Sequence, residues 1–119
     1  MVPVMTVKDF AGSLPLKNWT PDVSLDASIQ GGYAGDMLSW VMGRAASGSV
    51  WMTIMSNQNV AAVALMAEVA CVVLTEDVKP DEALLAQAKE RGLPLLGTPL
   101  STYELSYRLE ALLAKNREP

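Results

Sequence analysis

No histidine occurs in the 119 residues, which removes the commonest general base and the commonest metal ligand. A single cysteine, Cys71, rules out an internal disulfide and fits a reducing cytosol. It sits inside an apolar run and reads as a small buried hydrophobe rather than a nucleophile. Charge is scarce: Lys and Arg number 9, Asp and Glu 13, and charged residues make up 18%, against about a quarter in ordinary domains. The net charge is −4 and no basic run occurs, so no nucleic-acid partner is expected. No apolar stretch approaches the roughly 18–20 residues that span a bilayer. The N-terminus lacks the basic start, apolar run and small-residue cleavage site of a signal peptide. A cytoplasmic protein with no membrane partner is the expectation. Neither G-x-S-x-G, G-x-x-x-x-G-K-[ST] nor G-x-G-x-x-G is present, and the acids are scattered or stand at helix starts. The sequence therefore assigns no catalytic residue, no metal ligand and no cofactor.

What the chain has in quantity is apolar surface. Half the residues are hydrophobic, with seven Met and three Trp. A homodimer interface would cover the excess; a Met-rich monomer core is the alternative. Of the two tryptophans Trp40 and Trp51, one is expected at an interface, where an indole N–H meets a wet margin. The length suits one domain, with residues 1–30 as an N-terminal helix/strand arm and residues 31–114 as an α/β core.

Residues 45–75 hold one charged side chain, Glu68. Val50 to Met55 is an apolar run, Ser56 to Asn59 a polar knot, Val60 to Glu68 a helical stretch, and Ala70 to Leu74 a second apolar run. Uninterrupted apolar strands are covered on both faces, as in a parallel sheet between helices. Further along, Pro80, Asp81 and Glu82 open a helix where its dipole favours acids, and Gly92 stops it. Leu93 to Leu96 follows as a strand, and Ser101-Thr102-Tyr103-Glu104 is a capping box for the last helix, which frays from Lys115. From Asp36 the order is helix, strand, helix, strand, helix, strand, helix. The fold class is α/β, a three-layer, mainly parallel sheet flanked by helices.

The first 35 residues are less regular. Val2 to Met5 reads as a short strand, and Thr6 caps a helix from Val7 to about Leu14 with Asp9 at its third position. Lys17 to Thr20 can pair as a strand. Val23, Leu25, Ala27 and Ile29 alternate with polar residues, a period-two strand. Gly31-Gly32-Tyr33-Ala34-Gly35 reads as a backbone hinge, and Asp36 as the N-cap of a helix over 36–46.

Three strand-to-helix joints line one sheet edge, where open α/β sheets bind ligands: Thr53–Asn59, Thr75–Asp81 and Gly97–Thr102. Helix starts bring unpaired N–H groups there. Thr53, Ser56, Asn57, Asn59, Thr98, Ser101 and Thr102 add neutral polar side chains. Gly35 and Asp36 form a second candidate, with Asp36 able to meet a ribose hydroxyl or a metal-bound water. Together these are the expected ligand-binding residues, for a small anionic or nucleotide ligand. Each also has a plain structural use, since Ser, Asn, Thr and Asp are the preferred helix caps. Arg44 suits a ligand phosphate or a partner subunit, or simple solvation.

Gly35-Asp36-Met37-Leu38-Ser39-Trp40-Val41-Met42, then Trp51-Met52-Thr53-Ile54 and Asn59-Val60-Ala61-Ala62-Val63-Ala64, resembles stand-alone DRTGG-domain proteins of bacteria. Lys79-Pro80-Asp81-Glu82 and Leu96-Gly97-Thr98-Pro99-Leu100-Ser101-Thr102-Tyr103-Glu104 extend the likeness, which runs from about Gly31 to Leu113. No Asp-Arg-Thr-Gly-Gly string occurs; Gly35-Asp36 echoes its start, with Met37 in place of arginine. The resemblance implies a fold like the N-terminal domain of HPr kinase/phosphorylase. It also implies an accessory, regulatory or dimer-forming role, as in domains beside CBS domains in some pyrophosphatases. The resulting expectation is a non-catalytic, ligand-sensing homodimer. The alternative is a structural adaptor that binds a partner protein through its Met- and Trp-bearing face.

Overall fold

The computed structural model describes residues 4–117. In chain order the elements are α1 (Val7–Ser13), β1 (Lys17–Asn18), β2 (Gly31–Ala34), α2 (Leu38–Arg44), β3 (Ser49–Thr53), α3 (Asn59–Ala67), β4 (Cys71–Leu74), α4 (Glu82–Arg91), β5 (Leu95–Gly97) and α5 (Thr102–Arg117). One five-stranded sheet runs β1-β5-β4-β3-β2. β2, β3, β4 and β5 are parallel, and β1 closes one edge antiparallel to β5. This is a three-layer α/β fold.

The layering follows from the two central strands. Every residue of β3 and β4 is buried. Alternate side chains face opposite layers. Val50, Met52, Cys71 and Val73 join Val7 and Phe10 of α1 and Leu105, Leu109 and Leu113 of α5 in one apolar cluster. Trp51, Val72 and Leu74 join Val41 of α2, Val60 and Ala64 of α3, and Leu84 and Ala88 of α4 in the other. Full burial of each Val, Leu or Phe stabilises by about 1.5–3 kcal/mol.

The helix ends obey local chemistry. Thr6 and Asp9 form a reciprocal capping box on α1, with Asp9 accepting from Thr6 N at 3.0 Å and Thr6 Oγ1 accepting from Asp9 N at 3.2 Å. Donation to the carboxylate from Thr6 N, and then from the Thr6 hydroxyl at 3.0 Å, holds the Asp9 carboxyl below its ordinary pKa. Gly92 ends α4 in the left-handed region, φ 69°. Glu68 ends α3 the same way, φ 57°, without a glycine's freedom.

Four features differ from the sequence reading. Gly31 to Ala34 is not a hinge but strand β2, paired to Gly32↔Val50 and Tyr33↔Trp51. Of its two glycines, Gly32 serves close approach, because a Cβ there would meet Leu109 Cδ2 at 2.8 Å. The segment Val23 to Ile29 forms no regular strand, only an isolated bridge from Ser28 to Thr6. Its carbonyls instead serve the start of α1, with Val7 N donating to Ala27 O and Lys8 N to Leu25 O, both at 3.0 Å. Val4 and Met5 belong to no strand, and the rest of the expected Val2 to Met5 strand lies outside the described residues. Finally, α5 continues past Lys115 to Arg117, where Arg117 bonds Leu113 O at 3.1 Å and Glu110 at 2.7 Å.

Gly97 is the tightest point of the sheet, since a Cβ there would stand 2.6 Å from Trp19 Nε1. Replacing Gly97 with Ala must displace a ring that cannot fold aside. Gly97→Ala is expected to lower stability by about 1–3 kcal/mol in chemical denaturation. Gly31→Ala meets nothing within 4 Å and is expected to be neutral or stabilising, by up to about 1 kcal/mol. Equal effects at the two positions would contradict this packing.

Candidate functional site

Because β3, β4 and β5 are parallel neighbours, their three exits stand side by side on one edge of the sheet. The first exit is organised by a carboxylate. Asp36 Oδ1 accepts from Thr53 Oγ1 at 2.7 Å and from Ile54 N at 2.9 Å. Thr53 Oγ1 in turn accepts from Met55 N at 3.1 Å. Asp36 thus ties the link after β2 to the end of β3. It is not the N-cap expected of it: α2 begins at Leu38, with Met37 at the cap position and no side-chain cap. Gly35 belongs to the same tie, its carbonyl accepting from Trp51 Nε1 at 2.9 Å.

The polar knot then turns into α3. Asn57 Oδ1 accepts from Asn59 N at 2.9 Å, an Asx turn. Ser56 reaches across to the second joint, its Oγ donating to Asp81 at 3.2 Å while its carbonyl accepts from Asp81 N at 3.0 Å. The second and third joints are bound to each other as well. Thr75 Oγ1 and Thr102 Oγ1 lie 2.6 Å apart, and Glu76 N and Asp77 N donate to Leu100 O and Thr98 O, each at 2.9 Å. Thr98 Oγ1 donates to Pro15 O at 3.0 Å and accepts from Leu100 N at 3.2 Å. Ser101 Oγ accepts from Glu104 N at 3.0 Å, while the Glu104 carboxylate pairs with Arg108 at 2.6 Å.

The structure therefore gathers Asp36, Thr53, Ser56, Asn57 and Asn59 at one exit, and Thr98, Ser101 and Thr102 at the third. It also shows their hydroxyls and the Asp36 carboxylate bonded within the chain. The outward polar surface of the first exit is the Gln58 and Asn59 side chains together with Asp36, all three exposed.

Beside the Asp36 tie lies an apolar surface. Met37 is 60% exposed, Trp40 54% and Ile54 46%. Arg44 lies over the Trp40 ring at 4.2 Å from its centroid, so the guanidinium caps the indole. Trp51, by contrast, is wholly buried. Among the described residues no group of three or more His, Cys, Asp or Glu side chains converges as a metal site, and no helix is long and apolar enough to cross a membrane. Cys71 is buried, and desolvation pushes its thiol up to about 12.

Sequence reasoning passed over Trp19, Lys17 and the conformation of Asp77. Lys17 and Trp19 are two apart, so a strand places them on one face; that spacing was the available signal.

The Asp36 tie has a measurable consequence. Removing the carboxylate leaves the Thr53 hydroxyl and the Ile54 N–H without their acceptor. Asp36→Ala is expected to cost about 1–3 kcal/mol. Thr53→Val added to it should cost less than the two single losses summed, with a coupling of about 0.5–3 kcal/mol in a double-mutant cycle. Strict additivity would show that the two side chains act separately. The Cys71 thiol is expected to resist alkylation at pH 8 in the native state and to react only as denaturant unfolds the chain; native-state labelling within minutes would contradict its burial.

Comparison with known proteins places this fold. No curated protein matches the chain. Among solved structures it is similar to the CBS and DRTGG domains of the regulatory region of Clostridium perfringens pyrophosphatase, complexed with the activator diadenosine tetraphosphate. The TM-score is 0.65 at 11% sequence identity, covering 86% of this chain and 44% of that one. The chain thus spans less than half the length of that structure, and the likeness is one of fold. The family model of the DRTGG domain matches residues 35–112, from the Gly35–Asp36 link through most of α5. With the family model covering well over half of its length, the chain belongs to the DRTGG domain family.

Proposed function

We propose that this chain is a non-catalytic regulatory domain that works as a homodimer and senses a small anionic or nucleotide ligand at its strand exits. The observation that carries the reading is the position of Asp36. Its carboxylate is bonded to Thr53 and Ile54 at the first exit. The next residue, Met37, begins the exposed Met37–Trp40 surface. A ligand at the rim therefore acts within one residue of a surface suited to pairing. Fold likeness to a pyrophosphatase regulatory region that binds a dinucleotide activator supports the same direction.

The rim has its own hydrogen bonds, so the ligand must engage the outward groups that remain. Gln58 and Asn59 are exposed beside the first turn of α3, whose N–H groups are bonded to Asn57 and Gln58 but whose dipole still favours an anion. Displacing the Ser56–Asp81 bond, at 3.2 Å a long one, frees one hydroxyl more. Binding that redraws this bond alters how the first and second joints meet, and a domain of this kind signals by such a shift.

Two measurements test the reading. In size-exclusion chromatography with light scattering the chain should run at twice its own mass, and Trp40→Asp should halve it. In thermal denaturation, ATP, AMP, diadenosine tetraphosphate and inorganic phosphate form the panel. A true ligand at a hundred times its Kd should add about 2.7 kcal/mol, a rise of roughly 10 °C in Tm. A monomer indifferent to Trp40→Asp would remove the dimer. A flat melting curve across the panel would remove the sensor. A monomer that recruits another protein through Met37 and Trp40 would favour the adaptor.

A further inference from the structure

The two edges of the sheet are finished differently. At one, β1 is two residues long, carries Lys17, and lies between Pro15 and Pro21. Charge, proline and brevity are the usual means of keeping a strand edge from pairing. At the other, β2 is bonded to β3 alone. From Gln30 to Gly35 the chain carries no charge and no proline.

The ladder fixes where the β2 backbone groups point. Ser49 O and Thr53 O accept from Ala70 N and Thr75 N on the β4 side, so Val50 and Met52 serve β2. Gly35 N donates to Met52 O at 3.1 Å. Alternation then turns Tyr33 and Gly31 toward β3, and it points the N–H and C=O of Gly32 and Ala34 off the sheet. Exposure agrees: Gly32 and Ala34 are exposed, while Gly31, Tyr33 and Gly35 are half-buried.

Apolar surface flanks this open edge. On one face of the sheet a groove of about 200 Å³ runs between β2 and α5, walled by Gly32, Ala34, Ser106 and Glu110 over Met52 and Leu109. Tyr103 and Tyr107 stand one helical turn before Ser106 and Glu110, so they share that flank of α5. They are 80% and 52% exposed and meet edge to face, their ring centroids 5.5 Å apart. On the other face the exposed Met37–Trp40 surface begins three residues beyond Ala34. An aromatic side chain presents about 150–250 Å², so Tyr103, Tyr107 and Trp40 together expose roughly 280–460 Å². With Met37 and the strand itself, one copy comes near the roughly 800 Å² that each partner buries in a stable interface.

We propose that a second copy of this chain pairs along β2, antiparallel, so that one continuous sheet crosses the dimer. This rests on the homodimer reading above and names the surfaces that meet. An edge paired with its own copy is self-complementary when a two-fold axis passes through its middle. With the axis at Tyr33, Gly32 faces Ala34 of the partner subunit, and the two exchange both N–H···O bonds. The axis is normal to the sheet, so the two α5 flanks meet on one face and the two α2 helices on the other. The small, uncharged residues of β2 set neither bulk nor like charge against their copies. A short peptide strand would satisfy the same backbone groups but cover little of the aromatic flanks.

Amide hydrogen exchange of the 15N-labelled full chain tests the pairing, run on the dimer and on the monomer that dilution gives, each identified by light scattering. The Gly32 and Ala34 amides should exchange at least about tenfold more slowly in the dimer. Those of Tyr33 and Gly35, bonded to β3, should be slow in both. Ala34→Pro removes an N–H that the β3 ladder does not use, so the chain should keep its fold and lose at least about tenfold in dimer affinity. Should proline disturb the strand, Tyr103→Lys with Tyr107→Lys, both at exposed positions, should weaken the dimer while leaving the fold intact. A dimer whose Gly32 and Ala34 amides exchange as freely as the monomer's overturns the edge pairing and leaves the homodimer reading standing on another surface. A monomer at every concentration removes both.

Discussion

Two strands without a wet side, Ser49–Thr53 and Cys71–Leu74, impose the architecture on the rest of the chain. Their side chains alternate between two apolar clusters, so helices must cover both faces. Covering both faces with short links demands helical crossovers, and crossovers make the strands parallel. Parallel strands send all their exits to one edge. At that edge the backbone leaves the ladder while still beside a dry core, and its polar groups need partners there. Thr53, Thr75 and Thr98 are the buried answers, one at each exit. The hydroxyls at the strand ends are therefore first a consequence of the core and only then candidates for binding.

Asp36 extends the same logic to the sheet margin. β2 has two glycines among its four residues and little side-chain surface of its own to hold it. It is fixed by its ladder to β3 and, past its end, by the carboxylate that collects Thr53 Oγ1 and Ile54 N. A hydrogen bond to a charged acceptor is stronger than a neutral one, typically 1.5–3 kcal/mol. This makes Asp36 a joint between the first exit and α2. Met37, the residue after this joint, begins the exposed Met37–Trp40 surface.

The elements set by local pattern were legible in the sequence. The helix Asn59–Ala67 lies within one residue of the expected Val60–Glu68 stretch, and the Thr6–Asp9 box, the acidic start of α4 and the Gly92 stop are all local chemistry. The alternation from α2 to α5 was legible because apolar runs too short for helices alternate with helical stripes. The features that were not legible depend on distant partners. β2 has no strand composition and becomes a strand because β3 offers an edge. Val23 to Ile29 has strand periodicity, yet its carbonyls are taken by α1. Asp36 looked like a cap because its partner Thr53 is 17 residues away. The Trp19–Gly97 contact spans most of the chain and leaves no trace in either neighbourhood.

The closed hydrogen-bond network at the exits also decides what kind of ligand site this edge can be. A ligand shifts a protein only by the difference in its affinity for two arrangements. Where the exit hydroxyls already have partners, a ligand that merely replaces those bonds gains little over the free protein. It gains where it meets groups the fold has left over. At the first exit these are the exposed Gln58 and Asn59 side chains. At the second exit Glu76 and Asp77 are held in the left-handed region, φ 59° and 61°, by backbone bonds to Leu100 and Thr98. The first exit sets its exposed polar side chains beside the exposed Met37–Trp40 surface. The first and third exits are joined through the second, where Ser56 meets Asp81 and Asp77 meets Thr98.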